Sequence, residues 1–454
     1  MVADGLPGTE LEREREAHGV HRQLESLFGE LNDAHVEWSL LRVPRDVDLP
    51  PGDVDLLVRP EHLAAFGTAA RAAGFVGLPG WQEAPSLLYI SLDPDAAQFL
   101  VLDVTDRVAF GRHGEIVTPF AAGVLARRVR DGAVLVPSPD DAFWLLLLHC
   151  LLDKGSVPLH YRDRLMSAAP DARLDTEIPQ TVDARGGPVI SARTLRDAVL
   201  AADWDALAGL GGGLSRAWHR SAPVSVRLHL ASERVRRAAS RPKLLRQRWG
   251  VSVALLGSNG AGKSTLAEGI AGAFPLPVSR VYMGLWKGED TDASAPKLVL
   301  AAAARPFRAW ARLLRAKGYQ ALGRLVVFDR YTYDARHPSS DARRPASPAE
   351  TAKRAYMWML SRSCPEPDLT LLLDLPGALA HARKGENTVS ETEAERSAFL
   401  SLRDELPLHI LDASRDADAV RAQALELIWR EYCNRWADGV PGTREGAGGA
   451  ALVR

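Results

Sequence analysis

Cysteine is scarce in this chain of 454 residues: there are three, Cys150, Cys364 and Cys433, far apart and without metal-ligand spacing. That excludes a disulfide scaffold and fits reduced thiols in a cytoplasmic protein. An excess of either charge is also lacking. The 56 basic and 57 acidic residues leave a formal net charge of -1, so no global field draws the chain onto nucleic acid or an anionic membrane. Any basic site must be local. Long apolar runs are missing too: FWLLLLHCLL, from Phe143 to Leu152, is too short to span a bilayer and reads as a buried helix. The opening MVADGLPGTELEREREAHG is acidic and polar where a secretory signal needs a basic flank and an apolar stretch, so export is not expected. No repeat of fixed period is visible.

With 46% apolar residues the chain can bury sizeable cores, and its length suggests about two to four domains. Residues 1–20 read as a flexible leader and 437–454, rich in glycine, as a disordered tail. Over 21–138, helix-like stretches (HRQLESLFGEL, HLAAFGTAARAAGF) alternate with strand-like ones (VDLLV, FLVLDV, AVLVP), an α/β pattern. Residues 139–248 read as a helical connector, broken by polar turns and by a flexible GLGGGLS at Gly209–Ser215. Over 249–436, strands and helices alternate as a parallel sheet with crossover helices requires.

Within that last region, VSVALLGSNGAGKSTLAEGI at 251–270 satisfies G-x-x-x-x-G-K-[ST] with Gly257, Gly262, Lys263 and Ser264. An apolar β-branched run precedes the loop and a helical pattern follows. The segment Gly257, Ser258, Asn259, Gly260, Ala261, Gly262, Lys263, Ser264, Thr265 is expected to wrap the phosphates of ATP with backbone amides. Lys263 supplies mobile positive charge, the Ser264 hydroxyl can ligate Mg²⁺, and the helix N-terminus adds its dipole. LLGSNGAGKSTL would also pass for the loop of a transport-type ATPase. Such a chain should carry an LSGGQ-like signature and an apolar strand ending in Asp-Glu, whereas here LTLLLDLP follows Asp374 with Leu375 and Pro376. A small-molecule kinase fits better.

In GRLVVFDRYTYD an apolar strand delivers Asp329 and Arg330 to its C-terminal edge, where ligands of open α/β sheets bind. Asp329 can orient Mg²⁺ or accept a hydrogen bond from the acceptor, and Arg330 can clamp a phosphate; a structural ion pair is the plainer alternative. Four blocks in order, GSNGAGKST, FDRYTYD, PDLTLLLDLP with HARKGE, and HILDAS, make Val251–Leu427 resemble the thymidylate kinase-like branch of the nucleoside monophosphate kinases. The resemblance implies a lid helix whose Arg383, with Lys384, folds over the transferred phosphoryl group. It also implies a loop at Asp412–Ser414 near the adenine. Where that family carries a Glu/Asp-Pro-Gly element, this chain reads VSRVYMGLWKGED, which puts thymidylate itself in doubt as acceptor. Tyr282 and Trp286 either stack a base or sugar or pack together on one side of a helix. The loop 336–348, with Arg343 and Arg344, either grips an acceptor phosphate or is simply solvated. The basic-aromatic segments 233–249 and 305–320 either contact nucleic acid or, as their helical spacing favours, are expected to turn their arginines to solvent with Trp310 and Leu314 packing inward.

In the first half, PPGDVDLLV places Asp53 and Asp55 two apart at a strand start, hence on one face, as a metal pair would need. QFLVLDV brings Asp103 as a third carboxylate. Asp-x-Asp with a distal Asp resembles the nucleotidyltransferase superfamily over His21–Asp106, and that resemblance implies metal binding by Asp53, Asp55 and Asp103. The superfamily's upstream Gly-Ser or Gly-Gly pair is replaced by SLLRVPRDVDLPPGD, where Arg42 is the residue that can compensate. The plainer reading is that Asp53 caps the strand and Asp55 joins a turn network. His149 and Asp153, at i and i+4, are expected to bond along a buried helix without a catalytic part.

The expectation is thus an ATP- and Mg²⁺-dependent P-loop kinase with a nucleotidyltransferase-like domain in front. Its acceptor would be a nucleotide, nucleoside or sugar derivative, without nucleic-acid or membrane partners and with a homodimer left open. Two rivals stand: a nucleotidyltransferase with a regulatory P-loop half, and a nucleotide-gated scaffold.

Overall fold

Valine-, leucine- and phenylalanine-rich runs become strands where turn residues bound them, and they assemble into two five-stranded sheets. A computed structural model describes residues 20–42, 50, 52–78, 87–111, 114–186, 190–221, 250–283, 310–329, 331–335, 364–385 and 387–437. The leader 1–19, the segment 233–249, Trp286, Lys287, Arg330, Arg343, Arg344, Glu386 and the tail from 438 lie outside them. The chain divides into two compact units, Met1–Ser91 with Leu100–Ser240, and Leu92–Phe99 with Arg241–Arg454.

In the first unit, helix α1 (Arg22–Asp33) buries Leu24, Leu27, Phe28 and Leu31, the stripe its 3.6-residue period predicts. Strands β1 (Trp38–Leu40), β2 (Val54–Val58), β3 (Val76–Leu78), β4 (Leu87–Asp93) and β5 (Gln98–Thr105) form a sheet of order β1-β2-β5-β4-β3, with α2 (Leu63–Ala72) between β2 and β3. The β1–β2 and β3–β4 pairs are antiparallel, β2–β5 parallel. Two small antiparallel ribbons follow, β6 (Ala109–Phe110) with β7 (Ile116–Val117), and β8 (Val129–Asp131) with β9 (Val134–Val136).

Helices α3 (Phe120–Arg127), α4 (Pro139–His149), α5 (Leu159–Ala168), α6 (Glu177–Gly186), α7 (Ala192–Leu200) and α8 (Trp204–Ser221) complete that unit. Phe143–Leu152 is buried along its whole length, passing from α4 into a π-helical turn, Cys150–Lys154. These helices share one core with Leu57, Val108 and Phe120, so the stretch expected as a connector is continuous in packing with the residues before it. GLGGGLS differs from expectation: it lies inside α8. The reason is close packing. A Cβ on Gly211 would meet Leu151 at 3.1 Å, and one on Gly213 would meet Ile190 at 2.7 Å.

In the second unit, β10 (Ser252–Leu256), β11 (Val278–Tyr282), β12 (Leu325–Asp329), β13 (Leu369–Asp374) and β14 (His409–Asp412) form an all-parallel sheet of order β11-β12-β10-β13-β14. Every residue of β10 and all but the last of β12 and β13 are buried, the continuous apolar pattern of a sheet covered on both faces. Helices α9 (Lys263–Ala273), α10 (Gly377–Lys384), α11 (Val389–Ser401) and α12 (Ala417–Ala437) connect or follow the strands. Residues 310–321 are helical, and here Trp310 (41% exposed) and Leu314 (66% exposed) correct the inward packing expected of them. The buried stripe is instead Leu313, Ala316 and Gln320, which follows the helical period. No described helix is long and apolar enough to cross a membrane.

Candidate functional site

A sheet of this order has its topological switch at β10, because β11 and β12 lie to one side of it and β13 and β14 to the other. At that carboxyl edge the chain leaves β10 into Gly257. The φ angles of Gly257 and Gly260 are +142° and +87°, values that side-chain-bearing residues avoid. Added methyl groups would also collide with backbone, with Leu373 O at 2.8 Å for Gly257 and with Ala380 O at 2.7 Å for Gly260. Only glycine lets the loop turn this tightly against β13 and α10.

The loop ends at Gly262, the N-cap of α9, and no side chain caps the helix there. Its first amides therefore face outward at the positive end of the dipole, with Ser264 and Thr265 exposed beside them. Lys263 Nζ donates to Gly257 O at 2.7 Å and to Ser258 O at 2.8 Å, which places its charge over the loop. Among the described residues Ser258 Oγ is buried without a hydrogen-bond partner, so the loop keeps a polar atom for a ligand to satisfy.

The neighbouring strands bring the other predicted residues to the same edge. Asp329 ends β12, paired in register with Leu255 on one side and Tyr282 on the other, and Arg280 Nη2 lies 4.0 Å from its Oδ2. Tyr282 is a strand residue, which removes the helical-packing alternative for it and sets it beside Asp329. Tyr331 and Tyr333, which follow, are wholly buried; Tyr331 donates to Pro365 O, and burial pushes its phenol well above its ordinary pKa. Arg383 stands in α10, with Nη2 3.4 Å from Ala413 O, on the loop Asp412–Ser414. That loop is an Asx turn: Asp412 Oδ1 accepts from Ser414 Oγ at 2.5 Å and from Ser414 N at 3.0 Å, which hold the carboxyl below its usual pKa.

Three residues not singled out from sequence complete the edge. Arg396 of α11 donates to both oxygens of Asp374, Nε to Oδ1 at 2.5 Å and Nη2 to Oδ2 at 3.0 Å, while its Nη1 donates to Glu393 Oε1 at 2.8 Å. Glu393 also accepts from Gly377 N at 2.7 Å. That amide and Arg396 hold the Glu393 carboxyl below its ordinary pKa. Glu395 Oε2 accepts from Asn259 N at 3.3 Å, inside the glycine loop. Their sequence signal was only the charge density of ETEAER, which reads as an ordinary solvated helix.

The curated relatives then fit the same region. A thymidylate kinase of Xanthomonas campestris pv. campestris is 32% identical over 209 residues, covering 41% of this chain and 86% of that one. One from Xanthomonas oryzae pv. oryzae is 32% identical over 214 residues, 42% and 89%. The chain belongs to the thymidylate kinase family. Its membership rests on a P-loop kinase region that fills less than half its length. Thiamine import ATP-binding protein ThiQ of Ruegeria sp. is 56% identical over only 45 residues, 18% of that protein, too little to define a domain. Among solved structures, deoxyadenosine kinase from M. mycoides with bound dATP aligns over 40% of this chain and 98% of its own, at 14% identity and a TM-score of 0.28, a likeness too weak to carry inference. No family model matches the chain.

The first unit holds the other predicted cluster. The parallel register makes Asp55 and Asp103 direct cross-strand partners, so these two do meet, with Asp53 just before β2. Arg42, however, takes both oxygens of Asp55, Nε to Oδ2 at 3.0 Å and Nη2 to Oδ1 at 2.5 Å. Among the described residues no group of three or more His, Cys, Asp or Glu side chains is placed to hold a metal. The metal role expected of Asp53, Asp55 and Asp103 thus stands beside an internal guanidinium that already engages the Asp55 carboxylate. Asp53 keeps contact with solvent, yet desolvation first and the Asp55 charge second raise its pKa.

Arg42 continues the network. Its Nη1 lies 3.2 Å from His149 Nδ1, which is 2.5 Å from Asp153 Oδ2, and Asp153 Oδ1 accepts from Gly111 N at 2.6 Å. One ring nitrogen cannot accept from Arg42 and donate to Asp153 at once, so the shorter contact is assigned as the hydrogen bond.

Proposed function

We propose that the second unit transfers the γ-phosphoryl group of ATP to a small acceptor bearing a nucleotide, nucleoside or sugar moiety. The observation that carries this reading is the glycine loop at the switch point of a parallel sheet, with Asp329 on the adjacent strand, in a region 32% identical to thymidylate kinases.

The residues fit ATP and Mg²⁺ on their own chemistry. The loop amides and the N-terminus of α9 suit phosphate oxygens, and the unpartnered Ser258 hydroxyl adds a donor. Ser264 and Asp329 are the hard oxygen ligands that would hold Mg²⁺, which when bound neutralises charge on the phosphates. Lys263 exchanges loop carbonyls for phosphate oxygens. Arg383, held near Ala413, and Arg330, outside the described residues, are assigned to the nucleotide and the acceptor phosphate. The test is ADP release with dTMP, other nucleoside monophosphates, nucleosides and sugars as acceptors. Acceptor-dependent ADP release that vanishes in Lys263→Ala supports the reading; pyrophosphate release, or none of either product, counts against it.

The register of Asp55 against Asp103 favours a nucleotidyltransferase-like ancestry for the first unit as a second reading. The Arg42 fork on Asp55 argues against nucleotidyl transfer by this unit, so Asp103→Asn should leave ADP release unchanged.

A further inference from the structure

Helix α11 is anchored on both sides of Glu395. Two residues before it, Glu393 accepts the Gly377 amide at 2.7 Å; one residue after it, Arg396 holds Asp374 through Nε and Nη2 of its guanidinium. A Cβ on Gly377 would meet Glu393 N at 2.8 Å and Val389 O at 2.9 Å, so α10 and α11 pack backbone to backbone. The N-terminus of α11 is fixed as well, by a capping box in which Thr388 Oγ1 accepts from Glu391 N and Glu391 Oε2 accepts from Thr388 N. A side chain projecting from so constrained a helix has little freedom to relocate. Glu395 projects onto the phosphate loop, where its carboxylate accepts the Asn259 amide at 3.3 Å.

A carboxylate on a backbone amide of this loop uses the same recognition as a phosphate oxygen: an anion at a donor near a helix N-terminus. We infer that Glu395 is an internal competitor of the nucleotide's phosphates, a residue that sets ATP affinity by occupying the Asn259 amide. The inference rests on the proposed assignment of the loop to ATP. Nucleotide binding must displace this carboxylate or accept its repulsion, and the Asp374–Arg396 and Gly377–Glu393 contacts are what it works against. Lys263 Nζ also donates to Gly257 O and Ser258 O of the same loop.

The experiment is calorimetric titration of the full chain with ATP and magnesium, comparing wild type with Glu395→Gln, Glu395→Asp and the exposed control Glu405→Gln. Glu395→Gln should tighten ATP binding about three- to tenfold, the weight of one charge-assisted hydrogen bond at a partly exposed site. Glu395→Asp, one methylene shorter and still charged, should fall between that variant and wild type, and Glu405→Gln should match wild type. Unchanged or weaker binding in Glu395→Gln overturns the inference, as does an equal gain in Glu405→Gln, which would reduce the effect to net charge. If the folded wild type takes up no ATP, the assignment of the loop fails first, an outcome separate from a wild type that binds and a Glu395→Gln that binds no better. Circular dichroism of each variant checks that α11 survives.

Discussion

Arg396 and Asp374 are joined by two parallel hydrogen bonds, Nε to Oδ1 and Nη2 to Oδ2, and so tie α11 to the end of the strand beside the phosphate loop. Both groups are roughly a quarter exposed, 26% and 22%, so solvent screens part of their attraction. Removing the guanidinium should therefore cost about 1–2 kcal/mol, more than a surface pair and less than a fully buried one. Urea unfolding of Arg396→Ala checks the value. A larger loss in ATP affinity than in stability would show that α11 positions the loop as well as packing on it, and a variant as stable as wild type would contradict the anchoring role.

Asp368, at the opposite end of the same strand, ties three elements together. It accepts from Ser252 N at 2.7 Å, from Ser252 Oγ at 2.6 Å and from Gln320 Nε2, and pairs with Arg435 at 2.9 Å. Burial alone would raise its pKa, but the Arg435 and Ser252 hydrogen bonds outweigh it and hold the carboxyl below its ordinary 3.8. A depressed folded-state pKa gives stability that is present above the unfolded value and lost as pH falls through the folded one. Asp368→Asn should cost about 2 kcal/mol at neutral pH, because it leaves Arg435 without this partner in a half-buried place. The gap between variant and wild type should narrow below pH 3.8. Denaturation series at neutral and acid pH decide it, and a gap independent of pH contradicts the assignment.

In the first unit, Arg42 serves Asp55 directly and lies against His149, and its side chain is 29% exposed. Arg59 pairs with Glu37 at 2.7 Å but is 42% exposed. Arg42→Ala should destabilise the chain by about 2 kcal/mol, since it strands the Asp55 carboxylate, while Arg59→Ala should stay under about 1 kcal/mol. Thermal or urea unfolding of the two variants gives the comparison, and equal losses would remove Arg42 from the centre of the network.

Much of this was legible in the residues themselves. VSVALL, GRLVVFD and PDLTLLLD announce buried parallel strands because their apolar runs are unbroken, and each becomes one. The glycine loop was legible because its spacing is dictated by backbone geometry close at hand. Glu395 and Arg396 were not, because their importance comes from partners 136 and 22 residues away in sequence, and Arg42 was noticed as a possible triphosphate ligand while its partner Asp55, 13 residues on, was not. GLGGGLS misled because glycine normally opposes helix, and only the closeness of Leu151 and Ile190 explains its place in α8. Trp310 and Leu314 misled because large apolar residues at i and i+4 mark a face without saying which side of it is covered.

The most direct test of the account is calorimetry of ATP with magnesium on the folded full chain and on Lys263→Ala, whose ammonium bridges Gly257 O and Ser258 O. The account predicts saturable uptake by the wild type, weakened about a hundredfold or more in the variant, with acceptor-dependent ADP release lost alongside it. Equal uptake by both proteins, or no uptake by a folded wild type, would contradict it.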